Sequence, residues 1–236
     1  MHTVGRTAGQ TVTLDAIIEA VGREPYFRDE SVCIYHADCR GILPLIPGGS
    51  VDLVLTDPPY NSGLDYGLGT DDNRADYWDW LGTPIAECRR VAGVVLIKHS
   101  ALKLAQFQER WGGRVLVWYK PFSSGFPLNG IATHWEPIHW LQGKAVTWAK
   151  DVFECSAGNS HQEATSGHPA QMPEALARHW ISIFTSGAQT VLDPFMGSGT
   201  TLRAAKNLGR YAIGIEIEER YCEIAAKRMA QSVMAL

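Results

Sequence analysis

The chain has 236 residues, of which 45% are hydrophobic and 19% are charged, and its formal net charge is −4 at pH 7. This length fits one large domain with at most a small insertion. No apolar run approaches the ~20 residues that a membrane span requires. The acidic balance excludes attraction to nucleic acid by overall charge, so any basic contact surface must be local.

The predicted elements alternate between strands and helices along the chain, after a first helix at Thr13–Val21. This alternation is typical of a doubly wound, mostly parallel sheet in an α/β protein. The strands are predicted at Val32–Ala37, Val51–Thr56, Gly93–His99, Arg114–Lys120, His134–Gln142, Thr190–Phe195 and Tyr211–Ile217, and the further helices at Ala75–Arg90, Ala101–Trp111, Pro173–Phe184, Thr200–Leu208 and Glu218–Ala230.

Two stretches depart from this alternation. Between Arg114 and Gln142, two strand-like runs are joined by "PFSSGFPLNGIAT" without a helix. This connection predicts a hairpin, and with it one antiparallel strand at the sheet edge. Residues 144–167 show no clear periodicity and are expected to form a surface insertion.

The cysteines indicate a reduced protein. There are five, scattered and without a CxxC pair, so neither a disulfide framework nor a zinc site is favoured. Cys155, His161 and His168 are close in sequence, but their spacing matches no metal-ligand pattern, and no metal is expected. The N-terminal "MHTVGRTAGQ" lacks the apolar segment of a secretory signal. A cytoplasmic protein is therefore expected.

The stretch "TDPPYN", residues 56–61, directly follows the apolar run "VDLVL". The tandem prolines Pro58 and Pro59 hold φ fixed and donate no backbone N–H, so the loop is stiff and its carbonyl oxygens remain acceptors. Asp57 adds a carboxylate and Tyr60 an aromatic ring. The sequence thus predicts a rigid acceptor site with an aromatic wall at the end of a strand; for Tyr60, ordinary core packing is the alternative.

A second loop, "VLDPFMGSGTT" at residues 191–201, leads from a strand through a glycine turn into a helix. This is the topology of a nucleotide-binding βα turn, in which glycines permit close approach of a ligand to the backbone. Helix N–H groups then face the anionic end of the ligand. Glu216 ends the next strand, 17 residues after Gly199, at the place where a ribose diol is bound in such folds. The spacing is not GxGxxG, which argues against a dinucleotide oxidoreductase.

The two motifs, in this order, resemble the β class of DNA amino-methyltransferases, in which a DPPY motif precedes an FxGxG motif. The similarity runs from Tyr26 to Arg228 and includes "IYHADCRGIL", "DYWDWLGTPIAECRRV", "HWEPIHWLQGK" and "GHPAQMP". It implies a Rossmann-like, seven-stranded class I methyltransferase fold with circularly permuted motif order. We expect a single methyltransferase domain over residues 1–236, with a small target-recognition insertion at 144–167.

The resemblance implies S-adenosyl-L-methionine as the cofactor. Glu216 is expected to accept hydrogen bonds from the ribose hydroxyls and Asp38 one from the adenine amino group. Met172 stands where the family usually has lysine, so the helix N-terminus at Thr200 and Thr201 is expected to hold the cofactor carboxylate instead. The implied cofactor-binding residues are Asp38, Cys39, Asp57, His168, Gln171, Asp193, Pro194, Phe195, Gly197, Ser198, Gly199, Thr200, Thr201, Glu216 and Ile217.

The implied chemistry is direct methyl transfer to the exocyclic amine of a DNA base. Asp57 and the Pro58 carbonyl are expected to accept the amine N–H bonds and Tyr60 to stack on the base, which must leave the duplex. The catalytic residues are then Asp57, Pro58, Pro59 and Tyr60. Weaker DNA-contact candidates, for which simple packing or an ordinary loop is the alternative, are Lys120, Ser123, Ser124, His134 and Trp135.

Several alternatives remain open at the level of sequence. Asp57 favours adenine N6, because the family tends to carry serine at this position for cytosine N4, but both targets present an NH₂ beside a ring nitrogen. A catalytically inactive methyltransferase fold that serves as a DNA-binding subunit is the rival from another class. DNA in a bacterial or phage-infected cell is the expected partner. The short insertion favours a homodimer with a short recognition site, and a partner endonuclease is left open.

Overall fold

The computed structural model describes residues 12–63, 73–121, 132–156 and 172–231. Strands and helices alternate along the chain as predicted. The strands are β1 (Phe27–Arg28), β2 (Val32–His36), β3 (Val51–Thr56), β4 (Ala92–Lys98), β5 (Arg114–Tyr119), β6 (Trp135–Gln142), β7 (Val152–Glu154), β8 (Thr190–Asp193) and β9 (Tyr211–Glu216). The helices are α1 (Leu14–Val21), α2 (Cys39–Ile42), α3 (Tyr77–Val91), α4 (Leu104–Trp111), α5 (Glu174–Phe184), α6 (Thr200–Asn207) and α7 (Glu219–Ala230).

The described strands form one sheet in the order β1-β2-β9-β8-β3-β4-β6-β5-β7. The run from β2 to β4 is parallel throughout. Every residue of β3 is buried, as expected for a parallel strand that is covered on both faces. The predicted fold class, α/β with a mostly parallel sheet, is confirmed, and the predicted strands are all present. The sheet has nine described strands and not the seven expected, because β1 and β7 extend its two edges.

Helices cover both faces of the sheet. On one face, Trp180 of α5 and Leu202 of α6 belong to the same buried cluster as Leu53 of β3. On the other face, Leu81 of α3 belongs to a cluster that includes Val54. Leu53 and Val54 are consecutive, and consecutive side chains of a strand point to opposite faces. The sheet is therefore doubly wound.

The hairpin is confirmed, but its position in the sheet differs from the prediction. β6 pairs antiparallel with both β5 and β4, so the antiparallel strand lies inside the sheet and not at its edge. β5 then runs parallel to β4, and the short β7 extends the sheet beyond it. A hairpin pattern in the sequence does not say which of its two strands joins the parallel sheet. The two-residue β1, antiparallel to β2, was not predicted either.

The stretch predicted as an insertion contains regular structure and begins far from the carboxyl ends of the parallel strands. Gly143 lies against Gly93 at the start of β4, and the Val146 N–H donates to the carbonyl of Ile183 near the end of α5. Residues 144–151 therefore begin at the amino-terminal edge of the sheet. β7 then runs back toward the opposite edge. Within the described ranges, no helix is long and apolar enough to cross a membrane.

The carboxyl ends of β2, β9, β8 and β3 lie side by side at one edge of the sheet. Between β8 and β3 the chain order reverses, because the connections after these two strands run to opposite sides. Open α/β sheets bind ligands at such a switch point. The two motifs found in the sequence follow these two strands.

Candidate functional site

A cleft of about 360 Å³ opens at this switch point. It is lined by both sequence motifs and by the residues that follow β2 and β9. Most of the predicted cofactor and catalytic residues contribute to it. These are Asp38, Cys39, Asp57, Pro58, Pro59, Tyr60, Asp193, Pro194, Phe195, Gly197, Ser198, Thr200, Thr201, Glu216 and Ile217. The predicted residues His168 and Gln171 lie outside the described residues.

The glycine turn between β8 and α6 needs its glycines for two different reasons. Gly197 has a φ of 50° and Gly199 a φ of 82°, both in the left-handed region that favours glycine. Gly197 lines the cleft. A Cβ on Gly199 would lie 2.9 Å from the Cβ of Ala225. The predicted role of Gly199 in ligand approach is therefore corrected: it allows α7 to pack closely against the turn.

Glu216 extends from the end of β9 into the cleft, and its carboxylate is held by backbone N–H groups. Gly197 N donates to Oε2 at 2.9 Å and Glu218 N to Oε1 at 2.9 Å. Burial raises the pKa of the Glu216 carboxyl, whereas these two hydrogen bonds favour its charged form. The carboxylate is thus oriented by the turn that it faces.

Asp193, at the end of β8, is buried and ties two parts of the site together. Its Oδ1 accepts from Thr56 Oγ1 at 2.6 Å and from Phe195 N at 3.1 Å. Burial raises the pKa of this carboxyl to about 6. The bond to Thr56 joins the glycine-turn motif to the residue immediately before the DPPY motif.

Asp38 caps α2, since its Oδ1 accepts from Arg40 N at 2.9 Å. The same carboxylate forms an ion pair with the Arg40 guanidinium at 2.6 Å, and this bond lowers its pKa. Cys39, the first residue of α2, is buried, and burial raises the pKa of its thiol to about 12. The thiol is therefore neutral and unreactive at ordinary pH.

The proline loop is anchored from behind by Tyr77 of α3. Tyr77 Oη donates to the Pro59 carbonyl at 2.8 Å and lies 2.6 Å from His99 Nε2. With the hydroxyl proton directed at the carbonyl, the contact between Tyr77 Oη and His99 is a hydrogen bond when His99 carries its proton on Nε2. Burial lowers the pKa of His99 to about 3. A neutral imidazole and a phenol thus fix the position of the loop.

Asp57 belongs to a buried ionic network that the sequence analysis did not find. Lys98 Nζ lies 3.0 Å from Asp57 Oδ2 and 2.6 Å from Glu136 Oε2, and Lys120 Nζ lies 2.6 Å from Glu136 Oε1. Tyr60 Oη donates to Asp57 Oδ1 and accepts from Lys98. The signals in the sequence were a lysine at the end of the apolar run "VVLI" and a glutamate within the aromatic-rich "HWEPIHW".

The predicted DNA contact at Lys120 is corrected by this network. The side chain of Lys120 is only 11% exposed, and its ammonium group is paired with Glu136, so it does not face a phosphate. His134 and Trp135 do not line the cleft: His134 Nδ1 lies 3.1 Å from the Lys120 carbonyl, and Trp135 pairs with Tyr119 in the sheet. Ser123 and Ser124 lie outside the described residues.

Two further residues of the cleft bear on its chemistry. Met172 is buried and lines the cleft, so a neutral thioether stands where the resemblance implies a lysine. Trp80, from the tryptophan-rich start of α3, also lines the cleft and packs on Phe195 with 5.8 Å between ring centroids. Tyr77 and Leu81 of the same segment are buried in the core.

The strand order, the cleft at the carboxyl ends of parallel strands and the glycine turn define a Rossmann-like class I methyltransferase fold. Residues 51–151 and 135–227 match the family model described as DNA methylase. The chain belongs to this family of DNA methyltransferases, which act on N6 or N4 amino groups.

Individual proteins of this kind are similar over most of their length. The DNA adenine methyltransferase YhdJ of Escherichia coli K12 is 30% identical over 258 aligned residues, which cover 88% of this chain and 86% of YhdJ. The structure of M1.HpyAVI with SAM has a TM-score of 0.62 at 28% identity, covering 85% of this chain and all of that one. PvuII DNA methyltransferase (cytosine-N4-specific) has the same fold, with a TM-score of 0.72 at 18% identity over 91% and 92% of the two chains.

Proposed function

We propose that this DNA methyltransferase modifies the N6 amino group of adenine and uses S-adenosyl-L-methionine as the methyl donor. The observation that carries the proposal is Asp57, a carboxylate in the wall of the cleft at the first position of the DPPY motif. The resemblance associates aspartate at this position with adenine and serine with cytosine N4. YhdJ, which is 30% identical, is a DNA adenine methyltransferase.

The residues of the cleft fit this cofactor. A volume of about 360 Å³ falls within the range of small-molecule sites, ~300–1,000 Å³. Glu216 presents a pre-oriented carboxylate for the ribose hydroxyls, Asp38 lines the same cleft as an acceptor for the adenine amino group, and Phe195 supplies apolar contact. When bound, S-adenosyl-L-methionine supplies a methyl group from its sulfonium sulfur, which keeps the electron pair of the broken bond.

The residues of the DPPY loop would position the base. Its exocyclic nitrogen is a poor nucleophile because its lone pair is delocalised into the ring. Asp57 and the Pro58 carbonyl each accept one N–H bond, which frees the lone pair to point at the methyl carbon. Tyr60 stacks on the extruded base while its hydroxyl stays bonded to Asp57. After transfer the nitrogen releases a proton, for which the Asp57 carboxylate is the base within reach. Positioning supplies most of the rate.

Only a short segment of the proposed insertion is left to recognise DNA. Residues 144–151 begin at the edge of the sheet opposite the cleft. Within the proposed insertion, the DNA-contact role therefore falls to residues 152–167. So short a segment supports a short recognition site and a second protomer that completes the DNA-binding surface.

Product analysis tests this function most directly. The purified protein is incubated with S-adenosyl-L-methionine and genomic DNA from a methylation-free strain, and the nucleosides are then separated by liquid chromatography and mass spectrometry. We expect N6-methyldeoxyadenosine from the wild-type chain and none from Asp57→Ala. Sequencing of single DNA molecules from expressing cells would then give the recognition site.

The other outcomes of this assay are decisive as well. N4-methyldeoxycytidine in place of the adenine product would overturn the assignment of the base. No methylated nucleoside from a folded protein that binds the cofactor would favour an inactive DNA-binding subunit.

A further inference from the structure

Four neighbouring strands each contribute one charged residue at the edge of the sheet that carries the cleft. Asp57 follows β3, Lys98 ends β4, Glu136 lies near the start of the antiparallel β6, and Lys120 follows β5. In the spatial order β3-β4-β6-β5 the charges alternate in sign. The separations of the paired atoms are 3.0, 2.6 and 2.6 Å. We call these four residues the charge row.

The two lysines of the charge row are buried and the two carboxylates are mostly shielded from water, so the row carries a desolvation cost. The exposed fractions of the side chains are 17% for Asp57, 5% for Lys98, 21% for Glu136 and 11% for Lys120. Removal of charges from water has a large desolvation cost, and apolar side chains of similar volume often stabilise such a site equally well. Fold stability alone is thus a weak reason for the row, and at 5% exposure Lys98 is not a phosphate contact either.

We propose that Lys98 is a positioning residue for Asp57, whose carboxylate it holds in the orientation and in the ionised form that accept the target amine. Glu136 and Lys120 hold the Lys98 ammonium group in turn. This inference rests on the proposed function, in which Asp57 contacts the reacting nitrogen. Lys98 itself bonds to Asp57 and Tyr60 and acts through them.

The charges that face Asp57 explain why it needs this partner. Burial raises the pKa of Asp57, and Glu136 raises it further, whereas Lys98 and the Tyr60 hydroxyl lower it. Asp193 is a further carboxyl close enough for its own pKa to be raised by Asp57. Even beside Lys98 the pKa of Asp57 lies above its usual range, because burial outweighs the ammonium group. Without Lys98, the carboxyl groups of Glu136 and Asp193 would raise this pKa further and favour the protonated form. A protonated carboxyl has lost one acceptor oxygen to a donor O–H and is a poor base.

Glu136 is held in the opposite state. Burial would raise its pKa, but the ammonium groups of Lys98 and Lys120 outweigh burial and lower the pKa to about 2. Glu136 therefore stays ionised and does not compete for the proton of the methylated amine. Active sites often contain two carboxyls whose pKa values are separated by their environments. In such a pair, one carboxyl can accept a proton while the other stays ionised.

The test compares Lys98→Met, which removes the charge, with Lys98→Arg, which keeps it. The readout is the single-turnover methylation rate across pH, with DNA and cofactor saturating. Because an ion pair lowers a carboxyl pKa by about 1–3 units, the acid limb of the Lys98→Met profile should move up by about that amount. In Lys98→Arg, the acid limb of the pH–rate profile should stay at its wild-type position. Lys120→Met, which leaves Asp57 paired with Lys98, should shift it far less than Lys98→Met.

A second readout does not depend on activity. Carbon-13 NMR of the side-chain carboxyls of aspartate in the cofactor-free protein follows Asp57 directly, its signal being assigned by its loss in Asp57→Asn. The titration midpoint of Asp57 should rise in Lys98→Met. If that variant fails to fold because Glu136 loses a partner, the double variant Lys98→Met with Glu136→Gln is compared with Glu136→Gln alone, since these two proteins differ only at Lys98.

An unchanged acid limb and an unchanged Asp57 titration in a folded Lys98→Met protein would overturn the inference. The proposed function is tested separately by the wild-type chain. If the wild type methylates adenine and Lys98→Met behaves like it, the function stands and the role of Lys98 falls. If the wild type does not methylate DNA, the function itself falls.

Discussion

The Glu216 carboxylate is oriented before any ligand arrives. Two backbone N–H groups hold its oxygens at 2.9 Å each, and each oxygen retains a further lone pair for a ligand hydroxyl. Such pre-organisation lowers the ordering cost of binding. It also means that the glycine turn and the acceptor act as one unit, because a shift of Gly197 would move the carboxylate.

Glu216→Gln should weaken S-adenosyl-L-methionine binding without unfolding the protein. Loss of hydrogen bonds to a charged acceptor costs about 1.5–3 kcal/mol, which is on the order of 10- to 100-fold in affinity. Titration calorimetry measures this. Glu223→Gln, at an exposed site of α7 paired with Lys227, is the matched control and should bind normally. Equal affinity of the Glu216 variant and the control would exclude the ribose contact.

At the scale of residues, the sequence predicts what lies within a motif and misses what forms between motifs. Asp57 and Glu216 were identified because neighbouring residues of a strand and its loop reach the cleft together. Lys98 lies 41 positions from Asp57, and its partner Glu136 belongs to a strand whose place in the sheet was not predictable. Lys120 was interpreted as a phosphate contact for the same reason, since its pairing with Glu136 requires the β5–β6 hairpin.

At the scale of elements, the junction between β6 and the chain that follows it depends on one glycine. Gly143 has a φ of 89°. A Cβ at this position would lie 2.4 Å from the Gly93 carbonyl oxygen and 2.9 Å from the Val94 Cα. These neighbours are backbone of β4 and cannot rotate away, so the close approach of the two strands requires glycine here.

Gly143→Ala should therefore destabilise the protein. A non-glycine residue in the left-handed region costs on the order of 1–3 kcal/mol, and the contact with Gly93 adds to this. Urea unfolding measures the loss in free energy. Gly187→Ala is the control, because a Cβ there meets nothing within 4 Å. Equal stability of the two variants would show that the β4–β6 junction adjusts freely.

The sequence was sufficient to predict the elements that have a strong local pattern, but it was insufficient to predict β7 and the position of β6. The helix at Leu14–Val21, capped by Thr13, and the fully buried β3 are set by local pattern. β7 has three residues, too few for a period to be recognised. The position of β6 inside the sheet is decided by contacts with β4, which no pattern within the hairpin encodes.

At the scale of the whole molecule, the cleft and the start of the proposed insertion lie at opposite edges of the sheet. The carboxyl edge carries the cleft and the motifs, whereas residues 144–151 begin at the amino-terminal edge. Trp148 is 84% exposed there. The structure thus separates the proposed insertion into a part remote from the cleft and a part that leads back toward it.

Deletion of residues 157–166 should impair DNA methylation far more than cofactor binding, because these residues are proposed to contact DNA. Lys150→Ala, before β7 and outside the deleted segment, is the control and should leave the KM for DNA unchanged. Steady-state kinetics and calorimetry measure the two effects, and light scattering of the complex with DNA reports whether two protomers assemble. A monomer that methylates one defined six-base-pair site, with or without the deleted segment, would contradict the proposal.

The charge row also affects which strand of the β5–β6 hairpin pairs with β4, and in which register. A hairpin can join a sheet through either of its strands. If β5 were to pair with β4, Lys120 would come beside Lys98, and two ammonium groups would be buried against each other. A slip of β6 by one residue would turn Glu136 to the opposite face of the sheet. The charges of Lys98, Glu136 and Lys120 thus penalise the wrong partner strand and the wrong alignment, so that the same residues that contact one another beside Asp57 also favour one strand pairing during folding.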